Sequence, residues 1–179
     1  DTGGITQIEA SWIPCDADHK LQLTGNQGKV MQESMHVANT VAWNILPQES
    51  QEKLKAEWNN KGHRGVHLHC PEGGVPKDGP SAGAAITTAI YSLLTGRKIR
   101  NDVGITGEIN LSGKVMAIGG LESKIFGAKL AGCTKVLCPK DNANDLHKIM
   151  QRYPDIQDEK FQIKMVDEIT DVFKVMILT

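Results

Sequence analysis

The residues Ser81-Ala-Gly-Ala-Ala-Ile-Thr-Thr-Ala-Ile-Tyr-Ser-Leu-Leu-Thr95 carry no charged side chain and end at Gly96, where a left-handed glycine commonly closes a helix. A helix this rich in small and apolar residues is stable when other elements surround it. The fold is therefore expected to form around this segment, with strands and helices packed on it.

The flanking patterns supply those elements. Ile5 to Pro14 and Lys20 to Thr24 are β-rich runs on either side of the loop Cys15 to Asp18, which reads as a hairpin. Met31, Met35, Ala38, Ala42 and Ile45 repeat every three or four residues, the spacing of one helical face, until Pro47. Gln48 to Arg64 is polar, with Leu54 and Trp58 its only large apolar residues, and reads as a short surface helix and loop. Val66-His67-Leu68-His69-Cys70 alternates with period two, so both histidines share one strand face and the apolar residues the other. After Gly96 come a second hairpin turning at Ser112-Gly113, a helix from Leu121 to Ala131, a strand at Lys135 to Cys138 and a helix from Asn142 to Met150. The alternating strand Phe161 to Val166 and an amphipathic helix from Ile169 to Ile177 close the chain. Without strict βαβ alternation, the expected class is α+β, a mixed α/β sandwich with β-hairpins, a central small-residue helix and a C-terminal strand-helix unit.

Length and charge narrow the function classes. The 179 residues suit a single domain spanning 1–179. Net charge is −1, and the two halves, divided after residue 90, carry −3 and +2, too balanced for a nucleic-acid-binding face. The longest apolar stretch, Ile86 to Leu94, falls far short of the roughly 20 residues that span a bilayer. Four cysteines are too few for a disulfide scaffold, the Cys133 and Cys138 spacing is poor for zinc, and reduced thiols in an intracellular compartment are expected. The first residue is Asp and no secretory signal follows it, so the chain is expected to begin inside a longer polypeptide.

Two residues stand out as chemistry. Ser81 sits at the helix start, where the backbone dipole is positive, although a serine that only caps the helix occupies the same place. Gly79-Pro-Ser-Ala-Gly83 satisfies G-x-S-x-G, but a Pro- and Gly-rich loop separates it from the preceding strand and His147 is the only later histidine, which disfavours an α/β-hydrolase. A serine can instead be activated by a lysine kept neutral through burial. Lys124 lies among Gly119, Gly120, Ile125, Phe126 and Ala128, a setting suited to that role.

The run Pro76-Lys-Asp-Gly-Pro-Ser-Ala-Gly83, together with Thr106-Gly-Glu108, Gly113-Lys-Val115 and Ile118-Gly-Gly-Leu-Glu-Ser-Lys124, resembles the proteolytic domain of the ATP-dependent Lon proteases. The likeness runs from about Gly4 to the last helix. It implies a serine endopeptidase that cleaves unfolded or damaged proteins, with Ser81 as nucleophile and Lys124 as general base. It further implies that Thr106 hydrogen-bonds the lysine, that Asp78 contacts it in inactive arrangements, and that His67, His69 and Glu9 line the surroundings. No metal or cofactor is implied for the domain itself. ATP and Mg belong to an ATPase module, and no G-x-x-x-x-G-K-[ST] occurs here, since Gly28-Lys29 and Gly113-Lys114 are each followed by Val. The family implies unfolded polypeptide as partner, a hexameric ring, and neither membrane nor direct nucleic-acid contact. The alternative is a non-catalytic Lon-like oligomerisation or DNA-binding module of a repair ATPase, which should lack the serine and show a basic face.

Overall fold

The computed structural model describes residues 8–25, 28–70 and 80–178. Its first sheet contains β1 (Glu9–Pro14), β2 (Leu21–Gly25) and β3 (Arg64–Cys70) in the order β1-β3-β2. The expected hairpin between β1 and β2 does not form. β3 lies between them, antiparallel to β1 with Ala10 opposite Leu68, and parallel to β2 with Leu23 opposite Leu68. Burial explains the order: Val66, Leu68 and Cys70 are sealed from solvent, whereas no residue of β1 or β2 is fully buried, so β3 takes the centre. The link between β1 and β2 is pinned to the start of β3, with the amides of Cys15 and His19 donating to the carbonyls of His63 and Arg64.

α1 (Lys29–Ile45) buries Met31, Met35, Ala38, Val41 and Ala42 on its expected face. α2 (Gln48–Lys61) is longer than the short helix expected, and it ends at Gly62 with φ +105°. It buries only Leu54 and Trp58, and Trp58 stacks on Trp43 at 5.6 Å and meets Trp12 edge-on at 5.9 Å. Those two aromatic contacts hold an otherwise polar helix on the body of the fold.

α3 (Gly83–Thr95) is the central helix. Ile86, Ile90, Thr87 and Thr88 are wholly enclosed, and the two threonine hydroxyls donate to the carbonyls of Gly83 and Ala84, which makes their burial tolerable. β4 (Val103–Ile105), β7 (Lys135–Pro139) and β8 (Gln162–Val166) form a parallel sheet in the order β4-β7-β8. Between β4 and β7 come the antiparallel pair β5 (Glu108–Ile109) and β6 (Val115–Met116), which is the second expected hairpin, and α4 (Leu121–Leu130). α5 (Ala143–Arg152) connects β7 to β8, and α6 (Ile169–Met176) completes the strand-helix unit.

Two buried clusters flank this second sheet. β7 turns Leu137 into the cluster shared by α1, α3 and α6, and Val136 and Cys138 into the cluster shared by α4 and α5. Alternate side chains of one strand thus tie both cores together. Cys133 and Cys138 are free thiols, and burial pushes the Cys138 thiol up to about 11. Among the described residues no helix is long and apolar enough to cross a membrane. The architecture is a mixed helix and strand fold of the α+β class.

Candidate active site

Ser81 occupies a single 3-10 turn (Pro80–Ala82) that leads into α3. The helix cap is Ala82, and no side chain caps it, so the Ser81 hydroxyl is not engaged in capping. Gly107, just before β5, holds this turn: its amide donates to the Ser81 carbonyl at 2.9 Å, and its carbonyl accepts from the Ala84 amide at 3.0 Å. A side chain at Gly107, where φ is +155°, would collide with Val115. Gly83 is equally tight, because a β-carbon there would lie 2.9 Å from the Ile109 amide nitrogen. Only glycines allow the serine turn to seat this closely against the hairpin.

Lys124 comes from the opposite end of the same hairpin. After β6 the chain turns through Gly120, at φ +69°, into α4, and the Lys124 amide donates to the Gly120 carbonyl at 3.3 Å. Leu121, Ile125 and Ala128 face the core, leaving Lys124 half-buried on the flank. Its Nζ lies 2.6 Å from Ser81 Oγ. Among the described residues no carboxylate pairs with it, and burial lowers its pKa from the ordinary 10.5. A hydroxyl and a desolvated amine therefore share one hydrogen bond at the positive end of a 13-residue helix. That pairing can move a proton from oxygen to nitrogen as the oxygen attacks an electrophile.

The remaining expected residues fall elsewhere. Thr106 is 5 % exposed and its Oγ1 makes no hydrogen bond among the described residues, so the expected bond to Lys124 is absent. Its amide donates to the Leu137 carbonyl, continuing the β4–β7 ladder, and this fixes the backbone from which its side chain projects. His67 and His69 lie on the face of β3 opposite Val66 and Leu68, and both converge on the Thr24 hydroxyl, at 2.6 Å to His67 Nε2 and 2.7 Å to His69 Nδ1. Neither histidine bonds Ser81 or Lys124. Glu9 is exposed on β1, opposite His69. Among the described residues no three His, Cys, Asp or Glu side chains converge as a metal site requires. Asp78 lies outside the described residues.

Two tertiary pairings are not visible in the sequence. Thr24 joins the histidines only because β2 runs parallel to β3, a register that β2 alone does not encode. The Gly107 clasp on Ser81 is likewise a tertiary pairing; the Thr106-Gly-Glu108 motif marks the glycine, but not its partner.

The chain matches the family model of the Lon protease (S16) C-terminal proteolytic domain over residues 1–179. It is 41% identical over 174 residues to Lon protease 1 of Thermus thermophilus, covering 97% of this chain and 20% of that protein. Against the Lon protease homolog of Acanthamoeba polyphaga mimivirus the identity is 43% over 153 residues, 86% of this chain and 14% of the relative. Against Lon protease 2 of Desulfotalea psychrophila it is 40% over 177 residues, 99% and 21% respectively. The chain thus spans about a fifth or less of these relatives.

Proposed function

The chain belongs to the Lon protease C-terminal proteolytic domain family, and from that membership we propose that it is a serine endopeptidase working through a Ser81–Lys124 dyad on unfolded polypeptide. The observation that carries the proposal is the 2.6 Å contact between Lys124 Nζ and Ser81 Oγ, made by an amine that burial drives toward its neutral form.

In this mechanism the Ser81 hydroxyl donates to the neutral amine and passes its proton to Nζ as Oγ attacks the peptide carbonyl. The ammonium then gives that proton to the departing amine of the substrate, leaving an ester on Ser81. A water molecule then gives a proton to the regenerated amine as its oxygen attacks the ester carbonyl, and the ammonium returns that proton to Ser81 Oγ as the acyl–oxygen bond breaks and the acid leaves. General base catalysis of this kind contributes about 10²–10⁴-fold. Desolvation is suited to it, because each unit of pKa depression reflects about 1.4 kcal/mol against the ammonium. The non-catalytic alternative leaves the Ser81–Lys124 contact without a role.

Ser81→Ala tests the assignment with an unstructured fluorogenic peptide. Cleavage is expected to vanish while the melting temperature stays near that of the parent, since Ser81 caps no helix. Substantial residual cleavage would remove Ser81 from the mechanism.

A further inference from the structure

We propose that Asn142 is a positioning residue for the Lys124 amine, acting through the turn from which the Lys124 helix begins; this rests on the reading of Lys124 as the base. Asn142 is 1 % exposed at the end of the 3-10 turn (Lys140–Asn142) that follows β7. Its carboxamide pairs with both backbone groups of Ile118: Nδ2 donates to the Ile118 carbonyl at 2.9 Å, and Oδ1 accepts from the Ile118 amide at 3.0 Å. A second Nδ2 hydrogen donates to Asp145 Oδ2 at 2.8 Å. One side chain thus replaces a missing strand partner for a segment that has just left β6, and a buried amide so satisfied has no freedom to reorient.

The position of that clasp gives it its consequence. Ile118 is followed by Gly119 and Gly120, and α4 starts at Leu121 with Lys124 in its first turn. Among the described residues no side chain caps α4, and none comes within 4 Å of a β-carbon built at Gly119 or Gly120, so none of them wedges these two glycines in place. The start of α4 is fixed by the burial of Leu121 on one side and the Asn142 clasp on the other. A salt link reinforces it one residue away, where Lys114 Nζ lies 3.5 Å from Asp141 and 2.8 Å from Asp167. Ser81 is referenced to the entry of the same hairpin through Gly107, and Lys124 to its exit through Ile118. The amine–hydroxyl contact depends on both anchors, and Asn142 supplies the second.

The test compares Asn142→Leu, close in size and uncharged but unable to hydrogen-bond, with Leu54→Ala in α2, a core substitution away from the site. Peptide cleavage is measured below the melting temperature of each variant. Asn142→Leu is expected to lower kcat at least tenfold with KM within twofold, and to shift the pH profile of kcat/KM to higher pH as water reaches the amine. Leu54→Ala is expected to keep kcat within twofold and the profile in place. If Asn142→Leu does not fold, Asn142→Ser, which satisfies at most one of the two Ile118 groups, carries the same comparison. An Asn142 variant that loses no more kcat than Leu54→Ala, or whose profile does not move, overturns the positioning role. Lys124→Arg, measured alongside, separates the two readings. If it is inactive and the Asn142 variants behave like Leu54→Ala, only the positioning role falls; if it still cleaves, the base assignment itself falls.

Discussion

Among the described residues two nitrogen bases, His19 and Lys124, are driven toward their neutral forms by burial, and their surroundings differ in one respect. His19 sits beside Trp43, ring centroids 5.2 Å apart, on the face where Trp43 stacks with Trp58. Its Nε2 is buried without a hydrogen-bond partner, and desolvation pushes its pKa down to about 4. Lys124 is half-buried and lowered by the same cause, but a hydroxyl lies 2.6 Å from its nitrogen. Burial alone yields a neutral base with nothing to accept from. Burial with a hydroxyl at a helix start is the arrangement that the proposed mechanism uses to activate Ser81. The aromatic pocket therefore stores a sensitivity to acid, while the Ser81–Lys124 contact, on the proposed function, supplies a reactivity.

The largest effect expected from this contrast is on catalysis. Lys124→Arg places a permanently charged group beside Ser81, so it cannot accept the proton. Peptide cleavage is expected to fall about a hundredfold or more, the scale of a lost general base. A His19→Asn variant is expected to cleave normally at neutral pH. Peptide assays of both variants break the comparison if Lys124→Arg stays active or His19→Asn does not.

The next effect is on stability in acid. His19 has a folded pKa below its unfolded value of 6.5, so its contribution is fully present above pH 6.5 and is lost as the pH falls toward about 4. The loss amounts to at most roughly 3 kcal/mol. Asp16, Asp102, Asp158 and Asp171 are all lowered from 3.8 by hydrogen bonds and nearby cations, so their losses come at still lower pH. His19→Asn keeps a residue that tolerates the positive φ of 60° and should flatten the stability curve between pH 6.5 and 4. Denaturant unfolding at several pH values across that window checks it.

The smallest effect is a gain. Lys124 also titrates below its unfolded value, so below its folded pKa the buried ammonium costs stability, and the cost is relieved as the pH rises toward 10.5. Lys124→Met is therefore expected to melt higher than the parent at neutral pH, by about 2–4 °C for each kcal/mol recovered at this size, with the advantage shrinking in alkaline solution. Thermal melts at pH 7 and above pH 10 measure it.

How far the sequence foretold these two regions follows from what each depends on. α1 and α6 are legible because their buried residues repeat with the helical period, α3 because a charge-free run of small and apolar residues ends at Gly96, and the β5–β6 hairpin because Ser112-Gly113 interrupts alternating strands. The pairing of β1 and β2 is not, because the order of a sheet depends on which strand is most buried, and β3 begins 39 residues after β2 ends. Ser81 and Lys124 were accessible through motif and local composition. The unpartnered Thr106 hydroxyl is not legible, because where it lies depends on how the residue is held in the sheet, and its amide bond to the Leu137 carbonyl forms only in the folded chain. Asn142 was invisible as more than a helix start, since its partner Ile118 lies 24 residues away.

Whether Lys124 is the base is read most directly from an NMR titration of its Nζ, assigned by its loss in Lys124→Met and followed beside the pH profile of peptide cleavage. A midpoint below 10.5 is expected, coinciding with the pH at which kcat/KM reaches half its plateau. A Lys124 amine that titrates at 10.5 or above, or a cleavage profile that rises at a different pH, would contradict that role.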